Sequence, residues 1–102
     1  MLKVVIKEPN KKPYVKEIED ELSVYQDIVG GYIEVFLFSD CLAICNEEGK
    51  FKDLAPNFPL YSARTGEMVD MVVGTVIFIN EGKDGDFASL NDEQIERILK
   101  SL

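Results

Sequence analysis

The chain has no histidine and no tryptophan among its 102 residues. Histidine is the commonest general base and metal ligand near neutral pH, so its absence excludes Ser–His and Cys–His nucleophile pairs and histidine-based zinc sites. Gly30-Gly31 follows a predicted helix instead of preceding one, so no phosphate-binding loop is expected there. We therefore expect no enzyme activity, no cofactor and no metal.

Cysteine is also scarce, with only Cys41 and Cys45. If both lie on one strand, their Cα atoms are about 13 Å apart, whereas a disulfide needs less than about 7 Å. Two cysteines of one chain also cannot complete a tetrahedral zinc site. The sequence predicts two reduced thiols, which are typical of a reducing compartment.

Long apolar runs are missing as well. No stretch of about 18 apolar residues is present, so no membrane-spanning helix is expected. The first residues read as a strand with lysines inside it, not as a signal peptide. We expect a single cytoplasmic domain over residues 1–102, from a bacterium or from something that replicates in one.

Positive charge is sparse beyond the first residues. Residues 1–16 carry five Lys and one Glu, a net +4, whereas residues 17–102 carry six basic and eighteen acidic groups, a net −12. An acidic body disfavours direct nucleic-acid binding, which needs basic surface over the phosphates. The acids are either plain solvated surface or a face presented to a basic protein partner.

Hydrophobic periodicity predicts a mixed fold. Residues 2–7 and 14–18 read as a strand hairpin, and residues 19–29 as a helix with acids in its first turn, ended by Gly30. Residues 32–38 and 41–46 predict a second hairpin around the two-residue turn Ser39-Asp40. With that turn, Glu34 faces Cys45 and Val35 faces Ile44.

The second half predicts fewer elements. Gly49 is expected to supply a positive φ in its turn. Residues 51–54 are expected to form a short strand, and residues 55–67 an irregular segment. Residues 68–79 predict one strand buried on both faces, with Gly74 at a bulge or close backbone approach. Residues 91–102 predict a helix with a capping box. The fold class is α+β: a mainly antiparallel sheet of about five strands with two helices, the last one C-terminal.

Five motifs run in order along nearly the whole chain: GGYIE (30–34), CNEEGK (45–50), LAPN (54–57), VGTVIFI (73–79) and SLNDEQIE (89–96). In sequence and spacing they resemble a short domain family of unknown function found in bacteria, their phages and other mobile elements. The resemblance implies no agreed activity. In mobile elements such domains occur alongside antirestriction proteins. By association, the resemblance therefore implies counter-defence or regulatory binding.

The predicted 32–46 hairpin has one aliphatic side and one aromatic, thiol-bearing side. The aliphatic side is expected to face the core, and the aromatic side is the first candidate site. Its aromatic rings can stack on a nucleobase, and its carboxylate can accept hydrogen bonds from a base edge or a ribose hydroxyl. The other interpretation is that a helix covers this side, with the carboxylate at its rim. The residues are Tyr32, Glu34, Phe36 and Phe38.

A second candidate site is the pair of polar loops around residues 46–57. Asn46, Glu47, Glu48 and Asn57 either converge on a ligand or simply serve turn chemistry. Basic side chains nearby in sequence are candidates for phosphate contacts, namely Lys50, Lys52, Arg64 and Lys83. The loop 82–86 lacks the spaced ligands of a calcium loop.

Two functions fit these features. The first is a small non-enzymatic binding protein that sequesters a nucleotide-like signalling molecule and so blocks a host defence. The alternative is an acidic protein-interaction module, at the extreme a charge mimic of DNA that occupies a nucleic-acid-binding or defence protein. A homodimer fits either function, with the aromatic side as the self-association surface.

Overall fold

Ten elements follow one another in the computed structural model, which describes residues 1–102. The strands are β1 (Leu2–Lys7), β2 (Tyr14–Ile18), β3 (Ile33–Phe38), β4 (Cys41–Asn46), β5 (Pro56–Tyr61), β6 (Met68–Val73), β7 (Val76–Glu81) and β8 (Phe87–Ala88). The helices are α1 (Leu22–Val29) and α2 (Asp92–Ser101). No helix is long and apolar enough to cross a membrane.

The strands form two sheets, and every pairing is antiparallel. The main sheet has the order β2-β1-β7-β4-β3, with the short β8 beside β7. Strands β5 and β6 pair only with each other and form a separate two-stranded ribbon. The α+β class, the antiparallel pairing and the two helices are confirmed, but the expected five strands are wrong, because there are eight in two sheets.

Both faces of the main sheet are covered, which makes the protein three layers thick. Helix α1 packs on one face, over a cluster that includes Tyr25, Ile44 and Ile77. Helix α2 and the ribbon pack on the other face, over a cluster that includes Phe58 and Phe78. The central strands are therefore buried on both sides, an arrangement that is more common in parallel sheets than in antiparallel ones.

The predicted β3–β4 hairpin is confirmed residue by residue. Ser39 has a φ of +55°, as a two-residue hairpin turn requires. Glu34 pairs with Cys45, Val35 with Ile44 and Leu37 with Leu42. The expected aliphatic core side is only partly buried, because α1 covers one end of β3 and leaves Val35 and Leu37 exposed.

Several predicted boundaries are wrong. Helix α1 begins at Leu22, so the acids of residues 19–21 precede it and none lies in its first turn. Residues 51–53 form turns, with Asp53 at a φ of +52°, and Leu54 has no regular structure. Residues 56–61 form a strand where we expected irregular chain. The expected strand 68–79 is two strands of different sheets.

Gly74 separates those two strands and allows a close approach, as predicted. Its φ is +75°, and a Cβ there would lie 2.8 Å from Leu54 Cδ1. Gly49 also has no room for a side chain, since a Cβ would lie 2.9 Å from Val73 Cγ2. However, Gly49 does not have the positive φ that we expected. Its role is close packing of the turn against β6.

Helix α2 begins with the predicted capping box. Asn91 Oδ1 accepts a hydrogen bond from the Gln94 N–H at 2.8 Å, and Gln94 Oε1 accepts one from the Asn91 N–H at 2.9 Å. The buried Gln94 side chain also exchanges two hydrogen bonds with Asn80 at the end of β7. The cap therefore joins the helix to the main sheet.

Candidate functional site

A cleft of about 330 Å³ opens where the β3–β4 hairpin faces the ribbon. Glu34 and Phe36 line it from β3, and Cys45 lines it from β4. These side chains share one face because alternate residues of a strand point the same way. Across the cleft, β6 contributes Asp70 and Met71. We call this space the cleft.

The turn after β4 closes one end of the cleft. The Asn46 side chain anchors the turn, since its Nδ2 donates to Val29 O at 3.2 Å and its Oδ1 accepts from the Glu48 N–H at 2.8 Å. This arrangement brings Lys50 and Phe51 to the cleft wall. Phe51 is 92% exposed, so its ring is an apolar surface available to a ligand.

The charged groups of the cleft are mostly acidic. Three carboxylates, those of Glu34, Glu47 and Asp70, line it together with the single cation of Lys50. Lys50 is hydrogen-bonded to Asp70, and this bond lowers the pKa of the Asp70 carboxyl. The net charge of the four groups is −2. Such a cleft favours hydrogen-bond donors or positive charge in a ligand and disfavours an enclosed phosphate.

Both cysteines are free and buried. Burial raises the pKa of the Cys45 thiol to about 11, and the neighbouring Glu34 charge adds to this. Burial likewise raises the pKa of Cys41 to about 11. The Cys45 Sγ lies 4.0 Å from Glu34 Oε1. Neither thiol is an activated nucleophile, because the thiolate is the reactive form.

These thiols predict a loss of stability at alkaline pH. Their folded pKa is raised, so they stabilise the fold below the ordinary thiol value of 9.0, and this stabilisation is lost as pH rises toward 11. Denaturant unfolding measured between pH 9 and pH 11 should show a falling free energy of unfolding. Each thiol contributes a slope of at most about 1.4 kcal/mol per pH unit. The double variant Cys41→Ala/Cys45→Ala should show a flatter slope, and equal slopes would contradict this account.

The structure brings five of the nine expected ligand-binding residues into the cleft. They are Glu34, Phe36, Asn46, Glu47 and Lys50.

The other four lie elsewhere. Tyr32 borders a neighbouring groove that also holds Lys52, and Arg64 is exposed in the turn of the ribbon. Phe38 is partly buried and packs against the core, with its ring centroid 4.9 Å from that of Phe78.

Asn57 instead holds the ribbon to the main sheet. Its Oδ1 accepts a hydrogen bond from Lys7 Nζ at 2.9 Å, and its Nδ2 donates to Lys7 O and to Gly74 O, both at 2.8 Å. Lys7 is 6% exposed and donates a second hydrogen bond to Glu8 O. In this structure the Asn57 side chain is committed to internal partners.

Eight of the thirteen lining residues were not among the expected ligand-binding residues, and they include Phe51, Asp70 and Met71. Phe51 was assigned to a short strand, and the other two to a strand buried on both faces. The lone carboxylate of Asp70 inside that apolar run was a usable signal, because an unpaired charge is rarely fully buried. It marks the half of the run that lies in the exposed ribbon.

No curated protein and no solved structure is significantly similar to this chain. No group of three or more His, Cys, Asp or Glu side chains is placed to hold a metal ion. One family model matches, and it covers residues 2–102. The expected kinship with an uncharacterised domain family is confirmed: the chain belongs to the family described as domain of unknown function DUF3846.

Proposed function

We propose that this protein is a non-catalytic binding protein that holds a small, flat, donor-bearing ligand in the cleft. The observation that carries the proposal is the convergence of Glu34, Phe36, Glu47 and Lys50 on one space of about 330 Å³. That volume suits a small molecule at the lower end of the usual range of ligand pockets. The mixture of apolar wall and a few polar groups is also typical of such pockets.

The ligand class that fits is a nucleotide-like signalling molecule. Phe36 and the exposed Phe51 ring offer apolar surface to a base, and Glu34 and Glu47 accept hydrogen bonds from base or ribose donors. The net negative charge of the cleft keeps the phosphates outside it. Lys52 lies two residues after Lys50 and borders the neighbouring groove, where it can contact the phosphates.

Binding without chemistry is the simpler role for this site. The chain has no histidine, and burial raises the pKa of the one thiol that lines the cleft, Cys45. Tight binding of a signalling molecule without turnover removes it from solution in proportion to the amount of protein. In a phage or mobile element, this sequestration would counter a host defence that depends on the signal.

Calorimetry with matched variants tests the proposal. The ligands are a panel of cyclic and ADP-ribose-type nucleotides together with their nucleosides, and native mass spectrometry of protein purified from bacterial cells reports any retained molecule. Glu34→Gln should weaken binding about tenfold, because it exchanges a hydrogen bond to a charged group, which contributes about 1.5–3 kcal/mol, for a neutral one, which contributes about 0.5–1.5 kcal/mol. Glu67→Gln, at an exposed carboxylate outside the cleft, should leave affinity unchanged.

Two results would overturn the proposal. One is the absence of heat and of retained mass across the whole panel. The other is equal weakening by both variants, which would show that overall charge controls the affinity and not the cleft.

The second candidate, an acidic protein-interaction module, is favoured by a specific observation. The three acids before α1, Glu19, Asp20 and Glu21, are all exposed, and so are Asp92 and Glu93 at the start of α2. A complex held by such charges weakens steeply with ionic strength, whereas a ligand enclosed in the cleft is much less sensitive. Affinity measured at low and high salt therefore separates the two functions.

A further inference from the structure

Strand β3 forms one edge of the main sheet, with β4 as its only neighbour. Just before β3, the Tyr32 carbonyl accepts a hydrogen bond from the Glu47 N–H at 2.8 Å. In an antiparallel ladder the hydrogen-bonded residues alternate, so the even-numbered residues of β3 bond to β4. The N–H and C=O groups of Ile33, Val35 and Leu37 therefore point away from the sheet.

This edge is open and apolar. Val35 is 41% exposed and Leu37 is 75% exposed, and the only charge on the strand belongs to Glu34. An open strand edge is a template for pairing unless charges, proline or a covering segment protect it. The opposite edge, β2, has such protection, since Lys16 and Glu17 are exposed there.

We propose that two copies of this chain pair through β3, antiparallel about a twofold axis, with Val35 of one copy opposite Leu37 of the other. The outward-pointing residues must face each other for the ladder to form, which restricts the choice of register. This register covers Val35 and Leu37, the two most exposed aliphatic side chains of the strand, in both copies. It also places Glu34 opposite Phe38 of the second copy, so that the two Glu34 carboxylates do not face each other.

Pairing of β3 with β3 of a second copy satisfies this edge better than pairing of β3 with β2 of a second copy would. Twofold pairing uses the same strand from both copies and closes, whereas β3 on β2 of the next copy would continue into an open filament. The paired sheet runs from β2 of one copy to β2 of the other and leaves only the charged edges at its ends. The interface is small for a stable dimer, so association should be visible in a dilution series.

The pairing also bears on the cleft. Glu34 and Phe36 line the cleft from β3, and their side chains point to the face opposite Val35 and Leu37. In the proposed register, Phe38 of the second copy lies across from Glu34. Each copy therefore extends the aromatic wall beside the other copy's cleft.

Sedimentation velocity over a dilution series tests the pairing with two matched variants. Val35→Lys and Val15→Lys replace the same residue type at nearly the same exposure, 41% and 42%, on opposite edges of one sheet. Val35→Lys should raise the dissociation constant of the dimer at least about tenfold, because each dimer carries the change twice. Val15→Lys should leave the dimer intact.

Cross-linking tests the register. Hydrogen-bonded residues of an antiparallel pair have Cα atoms about 5.5 Å apart, within the range of a disulfide. The double variant Val35→Cys/Leu37→Cys should form interchain disulfides on mild oxidation, and Val35→Cys alone should not. The native thiols are buried and should not interfere.

Three outcomes overturn the proposal. They are a monomer at every concentration, a dimer that Val15→Lys dissociates and Val35→Lys does not, and interchain cross-linking by Val35→Cys alone. The first would leave the β3 edge to a strand of another protein, the second would place the interface at β2, and the third would place Val35 opposite its own copy.

Discussion

Replacing Asn57 with Leu is expected to lower the free energy of unfolding by about 3 kcal/mol, because several buried polar groups lose their partner at once. Leucine has the same number and branching of side-chain heavy atoms as asparagine, so little of the loss comes from a cavity. Without Asn57, the buried Lys7 ammonium retains only Glu8 O, and two carbonyl groups, of Lys7 and Gly74, lose a donor. Urea unfolding of the two proteins measures the difference.

A double variant identifies the cause. Adding Lys7→Met to Asn57→Leu removes the ammonium that was left with one partner and should recover part of the lost stability, since an apolar pair can replace a buried polar one. If the double variant is no more stable than Asn57→Leu alone, the ammonium is not the source of the loss. A loss below about 1 kcal/mol for Asn57→Leu would show that water replaces the amide.

Replacing Phe78 with Ala is expected to lower the free energy of unfolding by about 3–5 kcal/mol, the usual range for a large buried aromatic side chain. Phe78 is 0% exposed and lies on β7, between β1 and β4. Its ring centroid is 4.9 Å from that of Phe38 and 5.9 Å from that of Phe58. Its removal leaves a cavity where the main sheet meets the ribbon.

Phe51→Ala is the control for this prediction. It deletes the same side chain from a position that is 92% exposed, and should change the free energy of unfolding by no more than about 0.5 kcal/mol. Both values come from denaturant midpoints at an unchanged m-value. Similar losses for the two variants would mean that the aromatic cluster does not stabilise the sheet–ribbon contact.

The elements that local rules define were predictable from the sequence. The two-residue turn Ser39-Asp40 determines the register of the β3–β4 hairpin, and every predicted pair is observed. The capping box of Asn91 and Gln94 is likewise a short-range feature. In both cases the decisive groups lie within a few residues of one another.

The second half was harder because its structure depends on distant partners. Residues 68–79 have one β-branched pattern, yet they divide at Gly74 into a ribbon strand and the central strand of the main sheet. Two prolines in β5 suggested irregular chain, but proline is tolerated in a strand at a sheet edge, and β5 has only one neighbour.

In the candidate site, too, the features defined by local sequence were predictable and those that depend on distant partners were not. The residues grouped in the cleft come mainly from one hairpin and its turn, so their proximity could be predicted from local sequence. The role of Asn57 could not be predicted, because its partner Lys7 lies 50 residues away. The wall formed by β6 was equally hidden, since nothing local shows that the ribbon folds over the hairpin.

Because the ribbon is separate from the main sheet, the two walls of the cleft differ in how easily they open locally. The hairpin wall of the cleft belongs to a ladder that continues through β7 and β1, so the amides that bond β3 to β4 open only when much of the protein unfolds. The ribbon wall has no ladder beyond its own two strands, and such a unit opens at lower cost. The hairpin wall of the cleft is therefore the more rigid one, and movement of the ribbon wall is expected to set the width of the cleft.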